Sequence, residues 1–212
     1  MFKYKAALAA LLPLTLLGCS TDGQVTATGI TVTRSACPAV AIPAATGDVT
    51  IFSPENARTA HAIDVGAHIT NIRSTCDESG DNIVSTVNFD IRAQRRDSRG
   101  AREVVVPYFS TVVQGGTNVV AKSISRAGLQ FADGQLRAST TGSASASVNR
   151  SAATLPDDIR RQITRERKPG DADAAIDPLA DPAVREAVRR ASFEVLVGFQ
   201  LTQEQLAYNA TR

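Results

Sequence analysis

From Val49 onward the hydrophobic positions recur with a period of two. Ile63, Val65, Ala67 and Ile69 fall on one side of an extended chain, and Asp64, His68 and Thr70 on the other. Ile83, Val87, Phe89, Ile91 and Ala93 repeat the pattern, opposed by Asn88, Asp90, Arg92 and Gln94. The polar run 77–82 between these segments reads as a turn. Val104 to Val113 is a longer apolar segment; Pro107 within it lacks a backbone donor, which predicts an edge strand or a bulge. Gly115-Gly116 turns the chain into another strand, Val119 to Ile124, and Leu129 and Phe131 alternate before the Asp133-Gly134 turn. Leu136 to Val148 holds mostly Ser, Thr, Gly and Ala, so little apolar surface fixes its register. A twisted edge strand and a mobile connection both fit it.

The period then becomes helical. Thr154 reads as the cap of a helix carrying Leu155, Ile159 and Ile163 on one face, ended by Pro169-Gly170. Asp181-Pro182 opens a second helix with an apolar stripe of Val184, Ala187, Val188 and Ala191. Phe193, Val195, Val197, Phe199 and Leu201 return to strand alternation, and Thr202 with Gln205 fits a capping box for a terminal turn holding Leu206 and Tyr208. About seven strands joined by turns predict a mainly β fold. The expected architecture is an immunoglobulin-like antiparallel β-sandwich over 46–212, with a two-helix insertion, 154–191, before the last strand.

The N-terminal nineteen residues change the picture. Lys3 and Lys5 precede an apolar run from Ala6 to Leu17, about twelve residues and too short to span a bilayer as a helix. Leu16-Leu17-Gly18-Cys19 then matches the lipobox of bacterial lipoproteins, with Leu17 bulkier than usual at its place. The thiol of Cys19 takes a diacylglyceryl group, small Gly18 admits the signal peptidase, and the freed amine can be acylated; an ordinary secretory signal with a chance cysteine is the alternative. The expectation is a signal peptide over 1–18 and a lipidated Cys19 followed by an extended tether to residue 45. With Ser20 and no Asp after Cys19, the expected address is the outer membrane, facing the periplasm.

Composition adds limits. The 212 residues carry a net charge of +2, so no global field favours nucleic acid, and no Trp is present. Cys37 and Cys76 remain once Cys19 is assigned to lipid, an even pair in an oxidising compartment. A disulfide is the expectation; two free thiols or a metal pair are the alternatives, and no CxxC or HxxxH spacing supports zinc.

Catalytic patterns are sparse. His61 and His68, seven apart, would point to opposite faces of one strand. His68 and Asp64 share a face but stand about 13 Å apart on a regular strand. Neither a GxSxG elbow nor a P-loop occurs. Asp171, Asp173 and Asp177 sit at positions one, three and seven of an EF-hand frame, which fails at Ile176 and Pro182. Arg160, Arg161, Arg165, Arg167 and Lys168 form a basic face suited to anionic lipid or an acidic partner, or simply to water. The reading assigns no catalytic residue, metal or cofactor.

The C-terminal run 196–209, from Leu196-Val197-Gly198-Phe199 through Tyr208-Asn209, resembles the end of a family of uncharacterised envelope proteins of Gram-negative bacteria. Cys37-Pro38, the strand from Ile69 to the acidic loop at Asp77, and Pro107-Tyr108-Phe109 are further landmarks of that family. The resemblance implies an extracytoplasmic immunoglobulin-like domain and brings no activity; the segment from Thr154 to Arg190 is longer than the connection such proteins often have there. The expected function is therefore a membrane-anchored binding or structural module for another envelope protein. Pro107, Tyr108, Arg160, Arg161 and Arg165 are its candidate partner surface. A carrier of a small ligand between sandwich and helical arm is the alternative.

Overall fold

The alternating segments fold as long paired strands, and the register decides which residues become core. A computed structural model describes residues 23–26, 29–32, 35–165, 167–168 and 170–211. The chain divides into two units, Met1–Arg34 and Ser35–Arg212. In the first, β1 (Gly23–Thr26) pairs antiparallel with β2 (Gly29–Val32).

The second unit contains β3 (Ala39–Ala41), β4 (Asp48–Phe52), β5 (Ile63–Asp77), β6 (Asn82–Arg95), β7 (Arg102–Gln114), β8 (Asn118–Phe131) and β9 (Arg137–Asn149). Helices α1 (Arg150–Ala153), α2 (Asp157–Thr164) and α3 (Pro182–Arg190) follow, then β10 (Phe193–Phe199) and α4 (Gln203–Thr211). One sheet has the order β3-β10-β7-β8 and the other β4-β5-β6-β9. Only β3 and β10 run parallel among these pairs. Placing β6 beside β9 in one sheet and β7 beside β10 in the other reproduces the B–E and C–F adjacencies of the immunoglobulin sandwich. The fold is therefore mainly β and immunoglobulin-like, with a helical segment before the last strand. It begins at Ser35 rather than near residue 46, because β3 lies alongside β10 as an edge strand.

The inward face of each sheet supplies the core. Val65, Ile83, Phe89 and Ile91 of one sheet belong to the same buried cluster as Val106, Leu129, Phe131 and Phe199 of the other. The small-residue segment expected to be weak is a full strand, β9, paired with β6 along its whole length. Its poverty in large side chains has a steric cause. Gly142 lies opposite Phe89, whose ring occupies the space a Cβ on Gly142 would need. The same ring meets Tyr108 edge-on at 5.2 Å, and the Tyr108 hydroxyl donates to Ser143 O at 3.0 Å.

Pro107 is accommodated in a way that periodicity alone does not reveal. Its strand is interior, flanked by β10 and β8, and the bulge lies at Val112/Val113 instead. Pro107 O accepts from Gln200 N at 2.9 Å, so the missing donor faces β10 just beyond that strand's last residue, Phe199. The reciprocal bond to Gln200 O is the one that proline cannot make, and the β10 ladder stops there, at Phe199.

The helical segment departs in detail. Thr154 ends α1, its hydroxyl donating to Arg150 O, while α2 starts after Pro156, which occupies the cap position and offers no side-chain bond. Asp181 caps α3 by accepting from Ala183 N at 2.8 Å, as the Asp-Pro pattern predicts. The capping box of α4 also forms: Thr202 N donates to Gln205 Oε1 at 2.9 Å and Gln205 N to Thr202 Oγ1 at 3.2 Å. Among the described residues no helix is long and apolar enough to cross a membrane.

Candidate functional site

The outer face of the β4-β5-β6-β9 sheet carries the polar half of the alternation, and the register sets its residues in rows. Asp48, His68, Arg92 and Ser139 form one row across four strands; Thr50, Gly66, Gln94 and Arg137 form the next. Residues directly opposed have Cβ atoms about 5 Å apart, and diagonal neighbours about 7–8 Å. His68 thus stands beside Arg92, and Arg92 lies diagonal to Arg137, within reach of a shared ligand. These residues line a groove of about 920 Å3, with Gln130 of β8 at one side. Gly66 leaves a dent in the floor: nothing lies within 4 Å of where its Cβ would stand.

The rim of this groove is fixed by α4. Asn209 donates to Ala45 O at 2.9 Å and Asp48 O at 2.7 Å, and Tyr208 packs edge-on against Phe52 at 5.1 Å. Phe199 N donates to Thr46 O, and Gly198 is needed because Thr46 and Phe109 fill its Cβ position. The C-terminal residues from Gly198 to Asn209 therefore hold one edge of the sheet in place.

Chemically the groove is a cation-bearing polar surface. Among the described residues, no hydrogen bond or ion pair engages the side chains of His68, Arg92 or Arg137. Asp48 sits opposite His68, and Ser139 is two strands away from that histidine, about 10 Å. That separation is too long for a nucleophile and its base. Asp64 instead forms a two-pronged pair with Arg102 at 2.6 and 3.0 Å, which holds the Arg102 guanidinium above its usual pKa.

A second surface is the open side of β8. Since Pro107 O points at β10, the even-numbered residues of β7 from Val106 to Val112 point their backbone groups at β8. The register then turns the N–H and C=O of Lys122, Ile124 and Arg126 to the free edge. Val119 is 59%, Val120 48% and Ile124 58% exposed. Lys122 lies over the Phe109 ring at 5.3 Å.

The residues singled out by sequence are dispersed. Cys19 lies outside the described residues. Cys37 and Cys76 form a disulfide with Cα atoms 6.1 Å apart. Glu78 lies beside them, but with the sulfurs bonded to each other no thiolate is left for a metal. Pro107 is exposed on the outer face, whereas Tyr108, one residue on, is 7% exposed and belongs to the core, so it drops out of any partner surface. Arg160 pairs with Asp157 at 2.7 Å and Arg165 with Asp173; Arg161 is exposed on the same short helix. The acidic run is occupied within the chain, since Asp177 and Asp181 cap helical turns and Asp171 accepts from Lys168 N. His61 lies in a 3-10 turn before β5, not on the strand with His68.

Arg92 and Arg137 were not singled out by motif, although the parity of Ile91 and Ala93 already put Arg92 on the outer face. What was missing was the pairing of β6 with β9. Comparison with known protein families, curated proteins and solved structures finds no match.

Proposed function

We propose that this is a lipid-anchored envelope protein acting as a binding module, and that it engages an envelope protein by strand addition along β8. The observation that carries this reading is the open backbone of Lys122, Ile124 and Arg126 on a strand whose Val119, Val120 and Ile124 side chains are exposed. β9 is also an edge, but its small side chains offer little to grip. Charge selects the occupant. A second β8 paired antiparallel about Ile124 would set Lys122 against Arg126, like charge against like. An extended segment with two acidic residues flanking an apolar one, at alternate positions, would instead match Lys122, Ile124 and Arg126.

The probe is a peptide of sequence Thr-Glu-Thr-Val-Thr-Glu-Thr, blocked at both ends, with Lys in place of Glu as its control. Bound to the full chain, the acidic peptide slows hydrogen exchange at Lys122, Ile124 and Arg126, and the Lys version does not. Ile124→Pro removes only an edge donor, so it abolishes this protection while leaving the Tm within a few degrees. Unchanged exchange at those three amides with the acidic peptide overturns the reading.

The anchor is tested separately. Cys19→Ala moves the protein from the membrane to the soluble fraction of the envelope, since without acyl chains no lipid insertion holds it. Full retention in the membrane fraction would remove the lipid from the account.

A further inference from the structure

We infer that the groove on the outer face of the β4-β5-β6-β9 sheet is a binding site for an anionic saccharide, whose phosphate or carboxylate is held jointly by Arg92 and Arg137. This site lies on the other sheet from β8 and does not rest on strand addition there.

Arginine presents a planar fork of donors that matches an oxyanion in two-point fashion. Two such forks on diagonal positions of neighbouring strands converge on one group, and His68 adds a third polar side chain beside Arg92. Among the described residues neither arginine forms an ion pair with a carboxylate. An external oxyanion also relieves the mutual repulsion of the two guanidinium groups.

The rest of the groove selects a hydroxyl-rich body behind the charge. Thr50, Gln94, Gln130 and Ser139 supply hydroxyl and amide groups that both donate and accept. Val49 is the largest apolar residue of the lining and belongs to the buried core, so an apolar ligand finds little to bury against. A peptide strand is excluded from the floor for a different reason. β5 and β6 are interior strands whose backbone groups are spent on their own neighbours. The dent at Gly66 then fits a ring that stands over the sheet between Thr50 and Gln94.

The test is calorimetric titration of the full-length protein in detergent with four probes: glucose 1-phosphate, glucuronate, glucose and inorganic phosphate. At least one charged sugar binds tenfold or more tightly than both glucose and inorganic phosphate, and the better of the two identifies the oxyanion. The double variant Arg92→Ala/Arg137→Ala loses that binding tenfold or more, while Arg126→Ala on the other sheet retains it. Gly66→Val fills the dent with a strand-favouring residue and also lowers affinity without lowering the Tm. Inorganic phosphate binding as well as either sugar, no binding of either charged sugar, or binding indifferent to the double variant would each overturn the inference.

Discussion

Replacing Arg95 by alanine is expected to cost about 5 kcal/mol, a large part of the stability of a domain of this size. Arg95 is 2% exposed, and its guanidinium donates to four backbone carbonyls. Nε reaches Gln135 O at 2.8 Å, Nη1 reaches Gly100 O at 2.8 Å, and Nη2 reaches Ser98 O at 2.6 Å and Ala132 O at 3.0 Å. The side chain also stacks on Phe131, 5.2 Å from its centroid. These carbonyls belong to two of the connections by which the chain passes between the sheets, β6 to β7 and β8 to β9. One residue therefore fastens both crossings, reinforced by Gly134 N to Ser98 O and Gly100 N to the Asp133 carboxylate.

Alanine leaves Gln135 O and Gly100 O without their side-chain donor, reduces Ser98 O and Ala132 O to one backbone donor each, and opens a cavity beside Phe131. Lysine, with three donors on a single nitrogen, cannot span four acceptors, and should recover only about half of the loss. Urea unfolding monitored by circular dichroism measures both. The control is Arg99, exposed and paired with Asp97, whose carboxyl it holds well below the usual range. Its replacement should shift the midpoint little, as exposed pairs do. If Arg95→Ala unfolds at the same urea concentration as Arg99→Ala, the clamp contributes nothing.

The second large effect concerns the disulfide. Cys37 leads into β3 of one sheet and Cys76 lies near the end of β5 in the other, so the bridge joins the two sheets. It closes a loop with a sequence separation of 39 residues. Constraining the unfolded chain by such a loop contributes about 4 kcal/mol on the chain-entropy estimate. Cys37→Ser/Cys76→Ser, or reduction under native conditions, should lower the urea midpoint accordingly. The slope of the transition should also rise, because the uncrosslinked chain exposes more surface. Equal midpoints with and without reductant would show that the bridge adds no stability.

Much of this architecture was legible from one period. Inward positions from Val65 to Ile69, Ile83 to Ala93 and Phe193 to Phe199 follow directly from alternation, because a pleated strand has only two faces. The same parity, carried two residues further, places Arg95 inward with Ile91 and Ala93; the charged run around it masked the signal. Tyr108 misled for a related reason: adjacent to exposed Pro107, it necessarily points the other way. Within β5, Asn71 adopts φ 53° at a register shift between Thr70 and Arg73, a break that no hydrophobic pattern announces.

By itself the sequence determined the class of fold, the caps at Asp181 and Thr202, and the even cysteine pair. Each of these depends on residues close in the chain, or on a count. Only the tertiary structure decided which strands become neighbours, and with them everything built across strands. Arg92 comes to lie diagonal to Arg137, Gly142 makes room for Phe89, Pro107 lies past the end of β10, and Lys122, Ile124 and Arg126 turn to an open edge. Strand order and register arise from long-range closure of the two sheets around one core, and local periodicity is the same for every order that buries the same face.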